Sequence, residues 1–97
     1  MADFFARVEL HKAVWPTDYT RLHTLMEKHG FSNCVTAADG KKWKLPTGTY
    51  WSTNRVDDAD RVAKAVKECA DATGYANEVL VVKDAVWQGY LSSKCPA

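Results

Sequence analysis

The chain has 97 residues, which suits one domain and is too short for two. Thirteen basic and twelve acidic side chains leave a net charge of +1, so no long-range pull on phosphate is built in, and any nucleic-acid contact must come from a local patch. No apolar run approaches the roughly 20 residues of a membrane span, and the start Met1-Ala2-Asp3-Phe4-Phe5 lacks the basic and apolar regions of a signal peptide.

In chain order, Phe4 to His11 alternates, with Phe4, Ala6, Val8 and Leu10 on one side and Phe5, Arg7, Glu9 and His11 on the other. That period of two predicts a half-buried strand. Trp15-Pro16 ends it, because proline cannot donate to a ladder. Thr17 is a good N-cap and Asp18 complements the dipole of the helix that follows. Tyr19, Leu22, Leu25, Met26 and His29 recur at helical spacing up to Gly30, predicting a first helix over about 18–29.

Phe31 to Thr36 reads as a second strand, and Asp39-Gly40 as a turn. The third strand lies either at Lys41 to Leu45 or, beyond Pro46 and Gly48, at Thr49 to Thr53. Ala59, Val62, Ala63, Val66, Cys69 and Ala70 form the apolar stripe of a second helix, capped by Asn54, Asp57 or Asp58 and ended by Gly74. The aspartates at 57, 58 and 60 read as dipole compensation ahead of metal binding. Glu78 to Lys83 is a β-branched run with the look of a strand buried on both faces or nearly so. Residues 85–97, with Trp87, Tyr90 and Leu91, form either a short closing helix or an extended arm over the sheet.

This order predicts an α+β ferredoxin-like βαββαβ sandwich: one four-stranded antiparallel sheet with both helices on one face and the other face open. A homodimer through a sheet edge or through the open face is one way to cover such a surface. Cys34, Cys69 and Cys95 are odd in number and widely spaced, without a Cys-x-x-Cys pair; reduced thiols in a cytoplasmic protein are the simplest reading.

Candidate functional residues are few. His11, His23 and His29 lack a zinc-binding spacing, so no metal and no cofactor is expected. Tyr19, His23 and Glu27 stand four residues apart on one flank of the first helix. His23 is therefore either a general base held by Glu27 or part of an ordinary surface pair. Arg21, on the other flank, offers a fork of donors for a phosphate or is simply solvated. Lys42, Trp43 and Lys44 interleave charge with a flat ring, as single-stranded nucleic acid requires, or form a lysine-guarded edge strand with Trp43 inside. Arg7 belongs with them if all face one groove.

The segment Tyr19-Thr20-Arg21-Leu22-His23-Thr24-Leu25-Met26, followed by Gly30-Phe31-Ser32, resembles the small bacterial family containing the GhoS antitoxin of type V toxin–antitoxin systems. Asp39-Gly40 with Leu45, and Tyr50 to Thr53 ahead of a helix, are also similar. The resemblance implies the ferredoxin-like fold and metal-independent endoribonuclease cleavage of a toxin messenger RNA. Arg21 matches the first arginine of the family's helix motif. His23 stands where the antitoxin has a second arginine, and an imidazole is not a permanent cation. Two expectations follow: an RNA-directed protein using Arg21 and His23 with Arg7, Lys42, Trp43 and Lys44 on single-stranded RNA, or a non-enzymatic dimeric interaction module.

Overall fold

The computed structural model describes residues 1–12, 17–86 and 89–95, with Thr17 described by its backbone alone. The Trp15-Pro16 break, the Thr17 side-chain cap and Trp87 lie outside the described residues. Strand β1 (Ala2–Leu10) buries its even residues, as the alternation requires, and carries odd ones outward. It is the central strand of a sheet ordered β4-β1-β5, formed with β4 (Thr49–Arg55) and β5 (Asn77–Lys83), both antiparallel to it. An extra residue in β4 shifts the register between Ala2 and Phe4. Asn54 sits there at φ 55°, and its N–H donates to the Asp3 carboxylate at 3.1 Å.

Helix α1 (Thr17–Lys28) ends in a Schellman turn: Gly30, at φ 82°, donates to Glu27 O, and Phe31 donates to Met26 O, each at 3.0 Å. Arg55 reinforces this end, donating from Nη1 to His29 O at 2.5 Å while its guanidinium lies 5.1 Å from the Phe31 ring centroid. Helix α2 (Ala59–Ala72) is capped by Asp58, whose carboxylate accepts from Arg61 N at 2.8 Å. Leu22 and Met26 of α1 join Val62, Val66, Cys69 and Ala70 of α2 in one buried cluster with Phe4, Ala6, Val8 and Leu10. Both helices therefore cover the even side of β1.

The four-stranded βαββαβ sheet expected for a ferredoxin-like sandwich is not formed. Both candidate third strands exist, and β2 (Cys34–Thr36) pairs with β3 (Lys42–Lys44) in a separate two-stranded hairpin. Among the described residues, that hairpin meets the main sheet at a single bridge, where Ser32 and Trp51 exchange backbone bonds of 2.8 Å. The chain leaves β4 there because Ser32 Oγ takes the Cys34 N–H at 3.0 Å and Leu45 N donates to Asn33 O at 2.7 Å. A local side-chain bond displaces the ladder.

Two further expectations are corrected. β5 is an edge strand with Leu80 60% and Val82 42% exposed, rather than one buried on both faces. Cys34 and Cys95 are joined in a disulfide, Cα to Cα 6.2 Å, rather than both being reduced; Cys69 is a free, buried thiol. The bond ties the last described residues to β2, and backbone bonds lay them along β3. Lys44 N donates to Ser93 O at 2.8 Å, Cys95 N to Lys42 O at 3.1 Å, and Trp43 bridges to Lys94. This segment is extended and runs along the hairpin. No helix among the described residues is long and apolar enough to cross a membrane.

Candidate nucleic-acid interface

The residues singled out in the sequence fall into three places. His23 lies on the helix side of the sheet, half-buried, with Nδ1 hydrogen-bonded to the Tyr50 hydroxyl and the two rings edge to face, centroids 5.4 Å apart. Burial holds its pKa below the ordinary imidazole value, Lys44 adds to the depression, and Glu27 opposes it. Burial also drives the Tyr50 phenol well above its usual range, so that hydroxyl keeps its proton. The consistent arrangement is Tyr50 O–H donating to Nδ1 of a neutral imidazole, with the ring proton on Nε2. The basic nitrogen is then already occupied. Tyr50, and not the expected Glu27, holds this histidine.

Arg21 is exposed on α1. Arg7 projects from the opposite side of the sheet, 3.9 Å from Glu9 and about half exposed, so the pair is a loose surface contact. Lys42 and Lys44 are exposed and alternate with a half-buried Trp43 on the hairpin. The Trp43 backbone bridges to Lys94, whose ammonium stands 5.8 Å from the ring centroid. His23 and Arg7 do not share a groove.

The structure brings forward two residues that were not candidates. Phe5 and Trp51 are direct cross-strand partners on adjacent strands, on the face that no described helix covers. Phe5 also faces Val82 across β5, and Arg7 faces Leu80. Both aromatic rings are half-buried, standing in a row with Val82, and Leu80 lies on the same face in the next row beside Arg7. Beside Trp51, an open cleft of about 750 Å³ runs between this face and the hairpin. Asp3, Ser32, Lys42, Trp51 and Thr53 line it, and the Cys34–Cys95 bond forms part of its wall. A flat ring and a lysine lining one cleft can hold a base and a phosphate together. The sequence carried part of this signal, since the alternation of β1 already set Phe5 beside Arg7 on the outward side. The register that puts Trp51 opposite Phe5 was not readable while the position of the third strand stood open.

Glu9, His11 and Glu78 also converge, their ligand atoms all within 4.8 Å of one another, at an exposed corner of β1 and β5. His11 Nε2 lies 3.6 Å from Glu78. This is a solvated cross-strand charge cluster, and no ligand is assigned to it.

The sequence matches no protein-family model and no curated protein.

Proposed function

We propose that this chain is an RNA-directed protein that binds single-stranded nucleic acid on the helix-free face of its sheet. The observation that carries the reading is the Phe5–Trp51 cross-strand pair beside the Lys42-rimmed cleft. Stacking on aromatic rings is sequence-tolerant and contributes about 1–3 kcal/mol per base. Lys41, Lys42, Lys44 and Lys94 gather on the hairpin and the strand clasped to it, supplying the local positive charge that the overall balance lacks. Cleavage, which the antitoxin resemblance implies, is the less supported half. His23 and Arg21 sit on α1, across the sheet from the stacking pair, and the His23 ring is engaged by Tyr50.

The test is fluorescence anisotropy with a labelled single-stranded RNA of about 10 nucleotides, within the usual site sizes for such surfaces. Trp51→Ala is expected to weaken binding by roughly 5- to 150-fold, matching the loss of one stacked base. Lys42→Ala is expected to make the salt slope shallower by about 0.7, the value for one phosphate on a single strand. Arg21→Ala is expected to bind as the wild type does, and the RNA to stay intact with and without chelator. Binding that ignores both Phe5→Ala and Trp51→Ala would overturn the reading. RNA cleavage above a mock purification, lost in His23→Ala, would restore the nuclease.

Cytoplasmic residence is part of this proposal, and there thiol reductants act on Cys34–Cys95. Binding is expected to survive reduction, because the ladder that aligns Phe5 with Trp51 does not include the disulfide.

A further inference from the structure

We infer that the cleft beside Trp51 selects guanine, with Asp3 as the specificity-determining residue, an assignment that rests on the single-strand binding proposed for the same face. Asp3 stands on the outward side of β1, two residues before Phe5, and Phe5 pairs with Trp51. Diagonal neighbours across an antiparallel pair are about 7–8 Å apart, so Asp3 and Trp51 can reach one base from its edge and its face. Both line the same cleft of about 750 Å³, together with Lys42. The half-buried Asp3 is held at two points. The β4 bulge presents the Asn54 N–H to Oδ1 at 3.1 Å, and Ala85 N donates to the Asp3 carbonyl oxygen at 3.3 Å. Among the described residues Oδ2 has no hydrogen-bond partner, and no cation pairs with the carboxylate. A latch for one backbone N–H needs one oxygen and no charge, which asparagine would supply. A negative charge on a surface for a polyanion repels phosphate, so it favours binding only where it meets donors on a base.

Which base fits follows from the donors on its edge. In single strands the Watson–Crick edge is open to side chains. Guanine presents N1–H and the N2 amino group side by side, two donors for the two oxygens of one carboxylate. Oδ1 keeps a lone pair after accepting from Asn54, and Oδ2 keeps both. Cytosine and adenine each set one amino group beside a ring-nitrogen acceptor, which the second oxygen repels. Uracil sets its single N–H between two carbonyl groups. One guanylate therefore matches all three side chains of the cleft: Trp51 takes the ring face, Asp3 the donor edge and Lys42 a phosphate.

Fluorescence anisotropy with labelled oligouridylates of about 9 nucleotides, differing only in the central residue, tests this. Central guanosine is expected to bind roughly 5- to 150-fold tighter than central uridine, the discrimination of one bidentate pair. Adenosine, a purine without the donor pair, is expected to bind less tightly than guanosine, which separates the edge from stacking. Inosine, which keeps N1–H and lacks the N2 amino group, is expected to lose most of the gain. Asp3→Asn keeps an acceptor for the Asn54 N–H and removes the charge. It is expected to melt as the wild type does and to bind the guanosine and inosine RNAs alike. The inosine comparison in the wild type needs no variant, so it stands even if Asp3→Asn fails to fold. Three results would overturn the inference and leave single-strand binding in place: inosine binding as tightly as guanosine, adenosine binding as tightly as guanosine, or a guanine preference that persists in Asp3→Asn. Failure of every RNA to bind would overturn both.

Discussion

Gly48 sets how closely β4 can approach β1. Its φ is +81°, and a Cβ there would stand 2.4 Å from the Val8 carbonyl oxygen, which accepts no such neighbour. Gly40, at φ +84°, has nothing within 4 Å. Gly40→Ala is therefore expected to cost about 1–2 kcal/mol, the left-handed backbone alone. Gly48→Ala is expected to cost roughly 2–4 kcal/mol, because backbone must also move. Urea midpoints of the two variants check the difference. His23 sets a pH dependence. Its folded pKa is depressed, so the unfolded chain binds the proton more readily, and stability rises with pH. The contribution is complete above the ordinary imidazole value of about 6.5. It is lost progressively as pH falls from there through the lowered folded value. In His23→Gln the slope of the urea midpoint between about pH 7.5 and 5 is expected to flatten, since the only group removed is the one titrating there. An unchanged slope would assign the window to other groups.

The helices were the most legible elements, since each combines a 3.6-residue period with stop signals. The first was expected over about 18–29 and runs Thr17–Lys28; in the second, Asp58 proved to be the cap among three candidates. The strands were less legible for identifiable reasons. Val79-Leu80-Val81-Val82 has the composition of a doubly buried strand, but composition does not distinguish the middle of a sheet from its edge. β2 is cut short by the Ser32 side chain, a contact that no hydrophobic pattern encodes. The disulfide was illegible because Cys34 and Cys95 are 61 residues apart, and only the strand clasped to β3 brings them together. Closing so long a loop stabilises by up to about 4 kcal/mol in the chain-entropy limit. Cys95→Ser is expected to lower the urea midpoint accordingly and to release residues 89–95 from hydrogen-exchange protection. The β1–β4–β5 amides are expected to keep theirs. If the main sheet loses protection as well, the clasp supports more of the fold than the hairpin.

For the whole molecule, the decisive feature is its two-sidedness. One side of the β4-β1-β5 sheet is closed by α1 and α2, and the other carries Phe5, Arg7, Trp51, Leu80 and Val82. Candidates chosen by residue type alone were divided between these sides. Arg7 and Lys42 reach the helix-free face or its cleft, while His23 lies on the helix side; charge and aromaticity are local properties, and which face they share is set by long-range register. The most direct test of the open face as the contact surface is a titration of the isotope-labelled chain with single-stranded RNA, followed by amide chemical shifts. Shifts concentrated at Phe5, Arg7, Lys42, Trp51 and Thr53, with α1 and α2 unmoved, are the predicted result. Shifts centred on Arg21, His23 and the exposed flank of α1, with Phe5 and Trp51 silent, would contradict it.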